Sequence, residues 1–199
     1  METLVLDGGF ADPVMQSQGA FRALMNALAN PGTVQAFDAG LLPPSPLTAE
    51  LAAAALTLCD HDTQLYLAPH LATDAVIGWL RFHSGAPLTE RPELAQFALL
   101  DAATAVSFSA FAQGSDLYPD RSTTLVLALP SLTGGAVLTL RGPGVDGQIT
   151  IAPLGLPEDF LAQWTDNAGQ FPRGIDLLLV ADGQVIGLPR TTRISRKDA

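Results

Sequence analysis

The segment from Ser122 to Leu140 places the strongest constraint on how this chain folds. It carries no charged residue over 19 positions, which nominally approaches the length of a membrane-spanning helix. Pro130, Gly134 and Gly135 lie in its middle, however, and these residues interrupt regular structure. The segment is therefore predicted to form two apolar strands joined by a turn, within a central sheet that is buried on at least one face.

Predicted helices and strands alternate before this segment, and predicted strands predominate from it onward. Asp12-Pro13 provides an N-cap and a first helical residue, and apolar residues follow at helical spacing as far as Ala29. Predicted helices cover residues 13–29, 49–58, 74–83 and 157–167, with a weak fifth over 105–113. Predicted strands cover residues 33–37, 63–67, 97–100, 123–129, 136–140, 148–152, 175–181 and 185–188, the last two forming a hairpin. This order predicts an α/β fold, a mixed β-sheet flanked by helices, in a single domain over residues 1–199.

The charge of the chain bounds its partners and its compartment. Twenty acidic residues against ten basic ones give a formal net charge of −10, which argues against non-specific binding to nucleic acid or an anionic membrane. The single cysteine, Cys59, cannot form an intrachain disulfide, and the N-terminus shows no signal peptide, so a cytoplasmic location is expected. Residues 193–199 are predicted to be a mobile basic tail, with a contact to an acidic partner or ligand as the alternative.

Arginines supply nearly all the positive charge and mostly stand beside Pro, Gly, Asp or Thr, in predicted turns. Arginine binds carboxylate and phosphate through paired hydrogen bonds, so these turns are candidates for orienting an anion or forming salt bridges. The candidate anion- or substrate-binding residues are Arg22, Arg121, Arg141, Arg173 and Arg190, with Tyr118 and Asp60 as residues that could orient them. For Arg22, on the first predicted helix, a surface position and a buried pair with Asp60 or Asp176 are both open.

The sole lysine, Lys197, stands at the end of the chain. The body of the chain thus lacks the usual residue for a Schiff base with pyridoxal phosphate, and no cofactor is expected. A pyridoxal enzyme that uses Lys197, or a lysine of a partner chain, is the weaker alternative.

Two further motifs favour structural roles. The run Cys59-Asp60-His61-Asp62 contains four residue types that bind metals, but adjacent residues seldom converge on one ion, which favours a helix end and a turn held by Asp60. The loop from Gly142 to Gly147 joins two predicted strands, which favours a turn, with anion binding by its backbone N–H groups as the alternative. Neither His70 nor His83 has an obvious nucleophile nearby in the sequence.

Six segments carry a resemblance to a known family. They are GGFADPVMQSQGAFRALMNALANPGTV, LCDHDTQLYL, GSDLYPDRSTTLVL, LTLRGPGVDG, FPRGIDLLLV and LPRTT, in this order. Together they resemble the PhnH subunit family of the bacterial carbon–phosphorus lyase system, over about residues 10–192. The resemblance implies a fold similar to the large domain of pyridoxal-phosphate-dependent transferases without the cofactor site, a homodimer, and a core complex with PhnG, PhnI and PhnJ subunits.

The same resemblance implies a reaction for the assembled complex. An alkylphosphonate is transferred onto C1 of the ATP ribose, adenine leaves, and a ribose 1-phosphonate 5-triphosphate forms. The family's chemistry is usually placed on the PhnI subunit, so no catalytic residue is assigned to the present chain. Two hypotheses follow: a non-catalytic scaffold or partner-binding module, and a subunit whose arginines contact ATP or the phosphonate in the complex.

Overall fold

A computed structural model describes residues 7–37, 40–104 and 107–196, and these form an α/β structure. The helices are α1 (Pro13–Ala29), α2 (Ala49–Leu58), α3 (Asp74–Ser84) and α4 (Phe160–Ala168). The strands are β1 (Gln35–Ala36), β2 (Leu65–Leu67), β3 (Leu88–Thr89), β4 (Phe97–Asp101), β5 (Thr124–Ala128), β6 (Leu138–Arg141), β7 (Ile149–Ile151), β8 (Asp176–Ala181), β9 (Gln184–Leu188) and β10 (Arg193–Arg196). Short 3-10 turns cover Pro69–Leu71, Pro92–Leu94, Phe108–Ala110 and Pro119–Arg121.

The predicted caps set the helix ends. Asp12 accepts a hydrogen bond from the backbone N–H of Met15 at 3.1 Å, so α1 begins at Pro13 as its sequence predicts. Thr73 caps α3 in the same way. The helix ends at Ser84, and Gly85 caps it with a φ of 69°, the left-handed conformation that glycine adopts readily. These local signals fix where two of the four helices begin or end.

The main sheet has seven strands in the order β1-β9-β8-β5-β4-β2-β3. The five strands from β8 to β3 are parallel, whereas β9 and β1 run antiparallel at the other edge. Strands β4, β5 and β8 are almost wholly buried and apolar, which is typical of parallel strands covered on both faces. The sheet is therefore mixed, as the sequence predicts, and β5 lies at its centre.

A second sheet of three antiparallel strands, β10-β6-β7, corrects the expectation for residues 122–140. That segment does form two strands, but β6 belongs to the small sheet and does not join β5 in the large one. The reason is that β4 and β8 already occupy both edges of β5, so no place beside it remains for β6. The chain instead crosses to the small sheet, and Ser131 forms a bridge with Leu154 on the way.

Residues 193–196 correct a second expectation. They form strand β10, paired with β6 from Arg193 opposite Arg141 to Arg196 opposite Leu138, and so are not part of a mobile tail. Ile194 supplies the reason, because it packs against the core opposite the buried Leu140. Residues 197–199, including the lysine, lie outside the described part of the chain.

Two predicted helices also differ from the structure. Residues 105 and 106 lie outside the described residues, and the rest of the predicted helix over 105–113 contains only the 3-10 turn Phe108–Ala110. The Gln113 side-chain amide donates to the carbonyls of Phe108 and Phe111, which replaces the hydrogen bonds that a helix would make. The fourth helix begins at Phe160, so the acidic residues predicted in its first turn precede it.

No helix in the described part of the chain is both long enough and apolar enough to cross a membrane.

Candidate anion-binding site

Two arginines face each other on the small sheet. Arg141 ends β6 and Arg193 begins β10, and the register places them directly opposite one another. Directly opposite residues of antiparallel strands project from the same face, and both residues are exposed. Arg141 donates from Nη2 to Oε1 of Gln148 at 2.6 Å, and neither arginine forms a salt bridge with a described residue.

A groove of about 490 Å³ extends from this pair. Its lining consists of Arg141, Gly142, Pro143, Ala168, Phe171, Arg190, Thr191 and Arg193. Phe171 is 65 % exposed although it is a large apolar side chain. The groove thus combines guanidinium groups with an apolar wall that includes an aromatic ring, a composition that suits a small amphipathic anion.

Arg190, although it lines the groove, is engaged within the protein. Its Nε and backbone N–H donate to Oδ1 of Asp176 at 3.1 and 2.8 Å, and its Nη2 also donates to the same carboxylate. Further bonds run from Nη1 to the Pro119 carbonyl at 2.7 Å and from Nη2 to the Ser122 hydroxyl at 2.6 Å. The pair is largely buried, so its role is to hold three segments together and to form one wall of the groove.

The other predicted site residues are only partly brought together. The Arg121 guanidinium lies over the Tyr118 ring, 4.2 Å from its centre. Arg173 lies 3.4 Å from the carboxylate of Asp116 in an exposed pair. The proposed pairing of Asp176 with Arg22 is wrong, because Asp176 is occupied by Arg190 and Arg22 lies exposed on α1.

Asp60 has a structural role in the turn after α2. Its carboxylate accepts from the backbone N–H of Asp62 at 3.0 Å and from the Thr63 hydroxyl at 2.9 Å. These two bonds stabilise the charged form and hold the pKa of Asp60 below its ordinary value. The helix end and turn favoured by the sequence are therefore confirmed.

Cys59, which closes α2, is unsuited to nucleophilic chemistry. Burial, with a smaller contribution from the charge of Asp60, raises the pKa of the Cys59 thiol to about 12. The reactive form of cysteine is the thiolate, and it is scarce at neutral pH when the pKa is so high. This agrees with the interpretation of Cys59 as a core residue.

The glycine-rich loop also behaves as the favoured interpretation expects. It joins β6 to β7, and the backbone N–H of Val145 donates to the Gly142 carbonyl at 3.1 Å to close a turn. Gly142 has a φ of 139°, and a Cβ there would lie 2.9 Å from the Thr191 carbonyl oxygen. The absence of a side chain at Gly142 lets the loop lie close to residue 191 at one end of the groove.

The sequence missed Arg193 and Phe171 as site residues. Arg193 was assigned to the tail, and its strand role follows only from pairing with a segment about fifty residues earlier. A signal for Phe171 was present, since it precedes Pro172-Arg173-Gly174 in one of the arginine-bearing turns.

His70, which has no partner along the sequence, has one in space. Its Nε2 lies 2.5 Å from Oδ2 of Asp101, and Oδ1 of that carboxylate accepts from the Ala103 N–H and the Thr104 hydroxyl. His70 follows β2 and Asp101 ends β4, at the carboxyl edge of neighbouring parallel strands. The chain continues from these strands in opposite directions across the sheet, and ligands bind at such points in open α/β folds. This pair of polar side chains is therefore a second candidate site, separate from the arginine groove.

Comparison with known proteins identifies the class of protein to which this chain belongs. Residues 8–195 match the family model described as "Bacterial phosphonate metabolism protein (PhnH)". The chain is 45% identical, over 98% of both sequences, to a Rhizobium meliloti (strain 1021) protein named alpha-D-ribose 1-methylphosphonate 5-triphosphate synthase subunit PhnH. It is 29% identical to a Stutzerimonas stutzeri protein named putative C-P lyase subunit protein HtxG, over 92% of the chain and 88% of that protein.

These matches define a class, proteins of bacterial phosphonate metabolism. Within that class the chain belongs to the PhnH family, since both the family model and the Rhizobium protein match it over nearly its full length. The resemblance drawn from the six sequence segments is thereby confirmed.

Proposed function

We propose that this chain is a subunit of a complex that makes a ribose 1-phosphonate 5-triphosphate. In that reaction an oxygen of an alkylphosphonate forms a bond to C1 of the ATP ribose, the glycosidic bond breaks, and adenine leaves. The observation that carries the proposal is the 45% identity, end to end, with a protein named as a subunit of such a synthase.

The groove supports a direct part in handling the substrates. Both ATP and an alkylphosphonate are anions, and their charge must be neutralised for the two to meet. Arg141 and Arg193 are exposed on one face without a carboxylate partner among the described residues. In a chain of net charge −10 such a pair is the natural place for an anionic substrate.

A scaffold or partner-binding role without chemistry is the second candidate, and the exposed side of α1 favours it. Val14, Phe21 and Met25 lie on the apolar stripe that predicts the helix, yet they are 75%, 49% and 50% exposed. The helix instead packs Ala20, Ala23, Leu24 and Ala27 into the core. An apolar stripe left exposed on a single chain is typical of a surface that another chain covers.

The partners implied by the family enter the proposal in the same way. They are a second copy of this chain and the PhnG, PhnI and PhnJ subunits, assembled in the cytoplasm. The likeness of the seven-stranded sheet to the large domain of pyridoxal-phosphate transferases likewise remains a prediction.

Co-expression with the three partner subunits tests the proposal. The mass of the purified assembly shows whether the chain is incorporated, and phosphonate-dependent adenine release is measured with and without it. Stoichiometric incorporation together with loss of adenine release on omission supports a subunit of the synthase. An assembly that never incorporates the chain contradicts the proposal.

Substitutions in α1 test whether its exposed stripe is a partner surface. Phe21→Ser with Met25→Ser should weaken incorporation if the exposed stripe is a partner surface, while the isolated chain stays folded because neither side chain is in the core. The matched control is Phe82→Ser, since Phe82 is also an exposed aromatic, 62% accessible, but lies on α3. Unchanged incorporation of the α1 variant would show that the stripe does not contact the partners.

A further inference from the structure

We infer that the groove beside Arg141 and Arg193 binds a nucleoside triphosphate, with its phosphates on the two arginines and its base against Phe171. The inference deepens the proposed function and rests on it for the choice of ATP as the first ligand to try. It assigns a ligand to a site made by residues from β6, β10 and the loop after α4.

The first step is the electrostatic repulsion between Arg141 and Arg193. Like charges placed directly opposite on antiparallel strands repel each other, and here nothing in the described structure lies between them to neutralise both. The pair nevertheless lies at the edge of a groove, in a chain that has only ten basic residues. A bound polyanion removes the repulsion, so binding and local stability are coupled at this point.

The second step is the match between two guanidinium groups and a phosphate chain. Each guanidinium can bind two oxygens side by side, and opposite residues of antiparallel strands have Cα atoms roughly 4.5–5.5 Å apart. Consecutive phosphates of a triphosphate present oxygens over a comparable span. The bond from Arg141 to Gln148 at 2.6 Å holds one guanidinium in place before the ligand arrives.

The third step is the apolar wall. Pro143, Ala168 and Phe171 line the same groove, and Phe171 leaves most of its ring exposed. Aromatic rings stack on nucleobases of any kind, because every base has a π face. A ligand with both an aromatic ring and several phosphates uses both walls, whereas a simple anion would leave Phe171 unused.

Arg190 does not add a binding charge. Its guanidinium is already bonded to Asp176, Ser122 and the Pro119 carbonyl, and Asp176 neutralises it. Its bonds hold in place the segment that continues into Thr191 and Arg193, which also line the groove. Its substitution would therefore report on folding, so the binding test uses Arg141 and Arg193.

Isothermal titration of the full chain with ATP, inorganic tripolyphosphate and adenosine tests the inference. Arg141→Ser with Arg193→Ser should weaken both ATP and tripolyphosphate at least tenfold. Phe171→Leu should weaken ATP at least threefold and leave tripolyphosphate within twofold. The matched control, Arg81→Ser with Arg91→Ser, removes the same charge from exposed positions outside the groove and should leave both ligands within twofold.

Three results would overturn the inference. The first is equal loss of affinity in the groove variant and the control, which would mean that only overall charge matters. The second is no saturable ATP binding by either the chain or the assembled complex. The third is a groove variant that binds ATP normally but no longer joins its partners, which would assign the arginines to an acidic protein segment. Incorporation of the wild-type chain into the complex is measured separately, so the groove can fail while the subunit assignment stands.

Discussion

Replacing Arg190 with alanine should strongly destabilise the fold, and the structure sets the size of the effect. Asp176, which begins β8, receives three of the hydrogen bonds that Arg190 donates. The side chains are only 14% and 20% exposed, so water cannot fully replace the guanidinium. The variant removes both side-chain hydrogen bonds to Asp176, so the carboxylate at the start of β8 keeps only the backbone N–H of residue 190 as a donor. It also frees the Pro119 carbonyl and the Ser122 hydroxyl.

The expected cost is about 3 kcal/mol. Breaking a buried ion pair by removing one partner costs about 3–5 kcal/mol, and the lower end applies because the pair is partly exposed. A domain of this kind is stable by about 5–15 kcal/mol, so the variant should remain folded at room temperature but unfold much earlier in denaturant.

Urea unfolding followed by tryptophan fluorescence measures the effect. Arg173→Ala is the matched control, since its pair with Asp116 is far more exposed, at 46% and 81%, and should cost under about 1 kcal/mol. Replacing both Arg190 and Asp176 with leucine should recover part of the loss, because no charge is then left unpaired. A loss below about 1 kcal/mol for Arg190→Ala would refute the reasoning and return Arg190 to the list of anion-binding candidates.

Three further substitutions test local parts of the structure. Gly187→Ala should lower the free energy of unfolding in urea by about 2–3 kcal/mol, because the added Cβ would lie 2.4 Å from the backbone of α1. The control Gly19→Ala meets no atom within 4 Å and should be neutral or stabilising. Asn167→Ala should cost about 2–3 kcal/mol, since the buried amide pairs with both the N–H and the carbonyl of Ile175, and an intact melting temperature would contradict this. Stability should fall by about 1 kcal/mol between pH 9 and 10 through Cys59 alone, because the unfolded thiol loses its proton near pH 9 while the folded one keeps it to about 12. Cys59→Ala should abolish this part of the pH dependence.

The fold could be predicted from the sequence where local signals and burial agree. Helix α1 begins and ends as predicted, because Asp12, Pro13 and the Asn30-Pro31-Gly32 stop act within a few residues of the helix ends. The β8–β9 hairpin is also confirmed, since Asp182-Gly183 forms a tight turn with left-handed residues between two buried strands. In these places the conformation of a residue is determined by residues close to it in the sequence.

Strand partners could not be predicted in the same way. An apolar strand such as β6 fits either sheet by its pattern, and the choice depends on β4 and β8 having filled both edges of β5. Strand β10 carries three polar residues out of four and shows its role only beside β6. Both errors concern pairing between distant segments, where a periodic pattern carries no information about the partner.

The candidate site was predicted in part for the same reason. Arginines near predicted turns do line the groove, but the sequence cannot separate an arginine bonded within the protein, such as Arg190, from an exposed one, such as Arg141. Arg190 is held by Asp176, fourteen residues earlier, whereas Arg193 becomes available only because β10 sets it opposite Arg141. Whether an arginine can bind a ligand thus depends on which residues the fold places around it.

Phosphonate-dependent adenine release by the reconstituted complex tests the central claim most directly, that this subunit supports the transfer through its arginine groove. The complex is assembled with the wild-type chain, with Arg141→Ser/Arg193→Ser, or with Arg81→Ser/Arg91→Ser, and equal incorporation is verified by mass. We predict that the groove variant assembles and releases adenine at least tenfold more slowly than the wild type, while the control variant stays within twofold. Unchanged release by a fully incorporated groove variant would contradict the claim and leave the chain as a scaffold.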